Sequence, residues 1–417
     1  MKIFTLAWIS KGRTKILERS INSFSAKIKN ENLGLSTCVV DSSTDNSGTL
    51  SKVKLVDELV KNGFDPELIR FALLGEINGK RNDWIDTGSN RNALLLYLAG
   101  KAFMSIDDDI VCRWARITKS PLSYNNKDYD PALIRFYRDR AECINELLPE
   151  ADCCLSELLR AHEQLLDSKC SVSMSGSIGD SGFGSPRPLL MIPSVYELYD
   201  DAVRNRLMKR IVSGPTVSAS PLFMGMCVAF NNQECLPPFF PIGRNQDGVF
   251  GNTIRTCCPN SLIGHVPFAL FHDPQPSREY VQGDVANINF RISELMNLLL
   301  DSICKITRPQ YMAVGELLIA LAKVNDENFL CTIRKLYKQQ LEPYKHRLMD
   351  IIDRDRFIAP KNWRQDVLKC INNIDEYIRS DNFCIPVDIT LEESRQAIIL
   401  YGRLLKEWEN IRKRLKF

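Results

Sequence analysis

Ala102-Phe103-Met104-Ser105-Ile106-Asp107-Asp108-Asp109 is the stretch on which the reading of this chain turns. An apolar run with strand character leads directly into three carboxylates. Crowding three acids is costly unless a cation compensates them. At the carboxyl end of a buried strand they make a hard-oxygen site suited to Mg2+ or Mn2+. If the strand continues through them, alternation puts Asp107 and Asp109 on one side and Asp108 on the other. The plainer reading is a solvated acidic turn. Just upstream stands Gly88-Ser89-Asn90-Arg91-Asn92-Ala93, then a helical stretch and the small-residue turn Ala99-Gly100. An arginine at a helix start opposes the macrodipole, which favours acids there. Arg91 makes better sense beside an anionic ligand; its bland alternative is a surface ion pair. Asn92 alone reads as a helix cap.

Working outward, the first 110 residues or so alternate strand and helix. Ile3 to Ile9 predicts a strand and Thr14 to Phe24 a helix. Leu35 to Val40 predicts a strand, ended by the polar turn Asp41-Ser42-Ser43-Thr44-Asp45-Asn46-Ser47-Gly48. Leu50 to Asn62 reads as a helix, Ile69 to Leu74 as a third strand, Arg91 to Gly100 as a helix and Ala102 to Ile106 as a fourth strand. Such alternation predicts an α/β fold, a mostly parallel sheet with helices on both faces. Ligands collect at the carboxyl ends of strands in such sheets, where the Asp41 and Asp107 turns both lie.

Further along, residues 131 to 168 read as helical. The glycine- and serine-rich segment Ser171 to Pro186 is too permissive for an element interior and reads as a loop over the site. Leu222 to Phe230 resumes strand character, Asp247 to Thr256 suits a short helix, and Ile263 to Phe271 another strand. From about residue 289 apolar residues recur at helical spacing to the end, with Pro309, Pro343, Pro360 and Pro386 at boundaries. The expected division is residues 1–288, an α/β domain that carries the acid cluster, and 289–417, an all-α domain that pairs two copies or touches a membrane surface. The last helix carries Leu404, Trp408, Ile411 and Leu415 on one face and basic residues elsewhere. That pattern suits a core-facing stripe, or else an interfacial helix.

Composition bounds the rest. The chain has 417 residues, beyond the roughly 250–300 at which single cores stop growing. Lys and Arg total 54 against 51 for Asp and Glu, a formal charge of +3. That balance argues against nucleic acid as partner. The 14 cysteines include no CxxC pair, and read as free thiols in a reducing cytosol. No apolar run approaches the roughly 18 residues of a membrane span. The apolar start lacks a small-residue cleavage site and reads as a buried strand, not a signal peptide. The expected location is the cytoplasm, extending to the inner membrane face if the helical domain meets a bilayer.

With these motifs in place, the chain resembles the GT-A fold nucleotide-sugar glycosyltransferases, in particular the family 2-like group. Val39-Val40-Asp41-Ser42-Ser43-Thr44-Asp45-Asn46-Ser47 matches that group's first turn, Gly88-Ser89-Asn90-Arg91-Asn92 its A-R-N helix entrance, and Asp107-Asp108-Asp109 its D-x-D motif. Asn90 stands where alanine is usual. The resemblance covers residues 1–112, and 220–273 loosely. It implies a donor, first of all a UDP-sugar, contacted by Asp41 at its base and by Arg91, Asp107 and Asp108 along the nucleotide. It implies Mn2+ or Mg2+ held by Asp107, Asp109 and His272 of Phe271-His272-Asp273. Phe240-Pro241-Ile242-Gly243-Arg244-Asn245-Gln246-Asp247-Gly248 resembles the family's E-D segment, with Asp247 as catalytic acid residue and Gln246 in place of the usual glutamate. The resemblance makes residues 1–288 the catalytic domain and lets 289–417 grip the acceptor; the acceptor itself, a saccharide or a protein, stays open.

The chemistry suits these parts. A bound cation assists departure of the diphosphate, and Asp247 takes the acceptor's proton if the enzyme inverts the anomeric centre. His265, inside its strand, is expected to pack. Arg187, beyond the glycine-serine segment, is a further candidate for a phosphate. Two rivals use the same residues. Asp107-Asp108-Asp109-Ile110-Val111 also fits the D-x-D-x-[TV] signature of haloacid-dehalogenase-type phosphatases, with Asp107 as nucleophile, although that nucleophile normally follows its domain's first strand. The other rival is a catalytically inactive, transferase-like scaffold.

Overall fold

The strand that ends in the three acids lies inside a mixed sheet of eleven strands. The computed structural model describes all residues except 1, 43–49, 82–86, 118–122, 126–129, 259, 307–309, 381 and 416–417. Ser43 to Gly48 of the first turn, and Pro309, therefore lie outside the described residues. In chain order the principal elements begin with β1 (Thr5–Ser10), α1 (Thr14–Asn30), β2 (Ser36–Asp41), α2 (Lys52–Lys61), α3 (Pro66–Leu74) and α4 (Thr87–Tyr97). β3 (Ala102–Asp107), β4 (Ile110–Arg116), α5 (Leu155–Asp167), β5 (Cys170–Asp180), β6 (Leu207–Ile211) and β7 (Cys227–Asn231) follow. Then come α6 (Gln246–Cys257) and β8 (Leu262–His272), and the helices α7 (Ile292–Ile306), α8 (Tyr311–Lys323), α9 (Asp326–Arg354), α10 (Lys361–Arg379) and α11 (Leu391–Arg414).

The central strands lie in the order β2-β1-β3-β7-β5-β8. β1 pairs parallel with both β2 and β3. β7 enters antiparallel between β3 and β5, and β8 runs parallel to β5. β2, β1, β3, β5 and β8 therefore all point the same way. Their last residues, Asp41, Ser10, Asp107, Asp180 and His272, lie along one edge. β1 is buried on both faces: Ala7 and Ile9 join one core cluster, Leu6 and Trp8 the other. Continuous burial of this kind marks a strand covered by helices on both sides.

Three expectations change. Ile69 to Leu74 is helix α3, not a strand. Asp65 caps it through a hydrogen bond from Glu67 N, Pro66 occupies its first turn, and Gly75 ends it in the left-handed region at φ 68°. The glycine-serine segment is a loop only in its second part: Cys170 to Asp180 is β5, almost wholly buried, and Ser181 to Pro186 forms the loop that follows it. Residues 131–168 are not continuously helical, because Leu133–Phe136 is a strand paired with β6.

The helical region packs onto the α/β part. Buried residues of α7 to α11 form one contiguous cluster with Phe223, Phe239, Phe240 and Phe250. The apolar stripe of α11 faces this core, with Leu404, Trp408, Ile411 and Leu415 all buried, so it offers no apolar face to a bilayer. Among the described residues, no helix is long and apolar enough to cross a membrane. All the cysteines are free thiols.

Candidate functional site

The edge where the five co-directional strands end opens into a cleft of about 520 Å³. Asp107, Asp108, Asp109, Asp247 and His272 all line it, together with Lys11, Arg13, Arg206 and Arg278. β3 stops at Asp107, and Asp108 and Asp109 form a turn into β4. The condition for strict alternation fails, and this turn brings all three acids to the same cleft.

The acids are matched by arginines. Arg13, at the mouth of α1, donates from Nε to Asp108 Oδ2 at 3.0 Å and from Nη1 to Asp109 Oδ2 at 3.0 Å, and its Nη2 meets Asp108 Oδ1. Ser10 Oγ adds a bond to Asp108 Oδ2 at 2.8 Å. Arg91 is 2% exposed and lies beneath the cleft, not in its lining. α4 is already helical at Thr87, so Arg91 is not its first residue. Its Nη2 donates to Asp107 Oδ1 at 2.8 Å and to Gly225 O at 2.7 Å, and its Nη1 to Asp247 Oδ1 at 2.7 Å. A side chain at position 225 would run into this guanidinium, which explains the glycine. Asp247, in the first turn of α6, also accepts from Gly225 N at 2.7 Å. Asn92 does not cap a helix: it donates to Ala72 O and Phe239 O, both at 3.0 Å, and accepts from Phe239 N at 2.7 Å.

These environments split the carboxylates. Burial pushes Asp107 up to about 7 despite Arg91, and Asp108 up to about 6 despite Arg13. Burial would also raise Asp109, but His272 and Arg13 outweigh it and hold that carboxyl well below its usual range. His272 shows the reverse balance: burial lowers it, and the Asp109 carboxylate raises it above an ordinary imidazole.

Asp107, Asp109 and His272 offer hard oxygens and one imidazole for a divalent cation. His272 Nε2 lies 3.1 Å from Asp109 Oδ1, a buried oxygen that accepts no hydrogen bond of good geometry. Among the described residues, however, no group of three or more His, Cys, Asp or Glu is arranged to hold one.

Asp41 sits beside the cleft, accepting from Gly12 N at 3.1 Å, and does not line it. Arg187 lies elsewhere, against the Tyr344 ring. His265 packs as expected, buried and depressed to about 3 by that burial. The sequence reading missed Arg13 and a second layer of ion pairs. Asp180, at the end of β5, holds Arg206 at 3.0 Å and Arg278 at 3.2 Å. Asp273 holds Arg19 and Arg140, each at 2.6 Å. Asp273 had a signal in its position, one residue past the apolar strand that ends at His272, whereas Asp180 lay in the segment read as a loop and had none. No protein-family model and no curated protein matches the chain.

Proposed function

We propose that the chain is a metal-dependent glycosyltransferase of the GT-A, family 2-like kind, moving a sugar from a nucleoside-diphosphate sugar to an acceptor hydroxyl. The observation that carries this reading is the convergence of Asp107, Asp108, Asp109, His272 and Asp247 on one cleft where five strands end. Asp109 and His272, with Asp107 beside them, are the residues that would hold Mn2+ or Mg2+. When bound, the cation supplies Lewis-acid help to the departing diphosphate. Arg13 and Lys11 on the same rim can meet phosphate oxygens. Asp247 takes the acceptor's proton. Its bonds from Arg91 and Gly225 fix its direction, and each oxygen keeps a second lone pair for the acceptor hydroxyl.

The pairing of every cleft acid with an arginine favours a second reading, an inactive transferase-like scaffold. A screen of nucleotide sugars against Mn2+, Mg2+ and chelator separates the two, read as donor hydrolysis and thermal shift. One donor should raise the melting temperature only with cation, and Asp109→Ala should abolish that shift. Silence from every donor with either cation would remove the transferase reading.

A further inference from the structure

Away from the cleft, a groove of about 430 Å³ opens between the short turn Arg187–Met191 and the middle of α9. Arg187, Tyr337, Gln340, Leu341, Tyr344 and Arg347 line it. The five α9 residues fall at i, i+3, i+4, i+7 and i+10, one stripe of a helix. Arg187 lies against that stripe, its guanidinium carbon 5.8 Å from the centre of the Tyr344 ring. Its Nη1 is buried and has no hydrogen-bond partner, and the Tyr344 hydroxyl is buried and equally without one. Two orphaned polar groups thus line one groove, and a buried donor left unmet costs free energy. Neither Arg187 nor Arg347 is ion-paired among the described residues, whereas on α9 Glu342 pairs with Lys338 at 3.6 Å and Lys345 takes Asp375 at 2.7 Å. Glu294, which faces Tyr337, accepts from Arg291 N at 3.0 Å. Burial raises the Tyr344 hydroxyl, with Cys370 adding to it, and Arg187 and Arg347 oppose the rise. The larger basic groove beside α11 differs, because Arg403 pairs there with Asp65 and Glu67, Lys406 with Glu316 and Lys413 with Glu409. Two unanswered guanidinium groups match the charge of a phosphate monoester, about −1.5 to −2 near neutral pH, better than that of one carboxylate. The volume exceeds what a bare ion needs and lies in the range of small-molecule sites. Gln339, Gln340 and Pro343 add uncharged polar groups at the rim; Pro343, inside α9, has no N–H to give the Gln339 carbonyl.

We infer that this groove is a second binding site, for a hydroxylated phosphate monoester of sugar-phosphate size. Arg187 and Arg347 hold the phosphate, and the Tyr344 hydroxyl donates to it. The Gln339 carbonyl and the Gln340 amide meet the ligand's hydroxyls. The site stands apart from the transferase reading and needs neither its cation nor its donor.

Calorimetric titration of the full chain with glucose 6-phosphate, glucose and inorganic phosphate tests this. Glucose 6-phosphate should bind at least about tenfold more tightly than glucose, the scale of a charged hydrogen bond, and more tightly than inorganic phosphate. Arg187→Met should erase most of the preference over glucose without lowering the melting temperature, because it removes a partly buried charge that has no partner. Arg347→Glu, on the exposed rim, should abolish binding with the melting temperature unchanged. Failure of glucose 6-phosphate to bind would overturn the site. Equal affinity in wild type, Arg187→Met and Arg347→Glu would overturn it too, and would place the ester in the acid cleft beside Arg13 and Lys11. If binding were lost only in Arg187→Met, and that variant melted lower, Arg187 would be a packing residue and the site would fall. Equal affinity for glucose 6-phosphate and inorganic phosphate would overturn the ester and leave an ion alone.

Discussion

Arg13 and Arg91 divide the four cleft acids between them, and this division sets what each substitution tests. Asp107 and Asp247 share Arg91, so losing one leaves the other oriented. Asp107→Ala, Asp109→Ala and Asp247→Asn should each cut sugar transfer by about a hundredfold or more, the scale of one acid-base or charge-stabilising group. Steady-state turnover with the donor found by screening measures this; full turnover in Asp247→Asn would show that the proton goes elsewhere. The three acids were legible because they follow one another in sequence. Their cations were not. Arg13 meets Asp108 across 95 residues, and Arg91 meets Asp247 across 156. Only the folded sheet edge brings them together, and no local pattern announces an arginine aimed at a distant acid.

At the scale of elements, β5 shows how composition misleads. Read by composition, Cys170 to Asp180 is a serine-glycine loop. Read by alternation, Val172, Met174 and Ile178 share one face and Ser173, Ser175 and Ser177 the other. The serine face packs on α5, where His162 lies 2.9 Å from Ser173 Oγ and 3.0 Å from Ser175 Oγ. Gly176 and Gly179 admit the backbones of Arg210 and His272, whose carbonyl oxygens would lie 2.2 and 2.4 Å from an added Cβ. Burial holds His162 down at about 3, whereas an unfolded imidazole takes a proton near 6.5. In that window the unfolded chain binds the extra proton, so stability falls as pH drops. His162→Gln should therefore lose about 2 kcal/mol less stability than wild type between about pH 7 and pH 5, in urea titrations. A second contact depends on small residues. A Cβ on Gly315 of α8 would sit 2.3 Å from Gly402 O of α11. Alanine there gains about 1 kcal/mol of helix propensity but presses on a backbone carbonyl that cannot rotate away. Gly315→Ala should be a net loss of about 1–2 kcal/mol in the same assay; a gain would mean that the helices separate freely.

For the whole molecule, the question is whether residues 289–417 form a unit that could be removed. Near residue 289 the α/β alternation gives way, among the described residues, to helices. The packing nevertheless ties the two regions together. Tyr401 OH donates to Pro238 O at 2.9 Å and Trp408 Nε1 to Leu236 O at 2.7 Å. Arg412 Nη2 reaches Asn232 O and Glu234 O, both at 3.0 Å. Tyr401, Trp408 and Phe240 are fully buried, and the Phe240 ring meets Tyr401 edge-on at 5.2 Å. Each such aromatic contributes about 3–5 kcal/mol when lost to alanine, against a typical total of about 5–15 kcal/mol for a folded domain. Ending the chain at residue 288 strips several of these contacts from Phe239, Phe240 and α6 at once, and Asp247 stands in the first turn of α6. The prediction is that the fragment 1–288 does not fold cooperatively, and that the full chain unfolds in one transition. Tryptophan fluorescence and far-UV circular dichroism should trace coincident urea curves. Two separated transitions, or a soluble fragment with native circular dichroism, would mean that the helices are an appendage. The Asp247 end of the cleft would then be held by the α/β part alone.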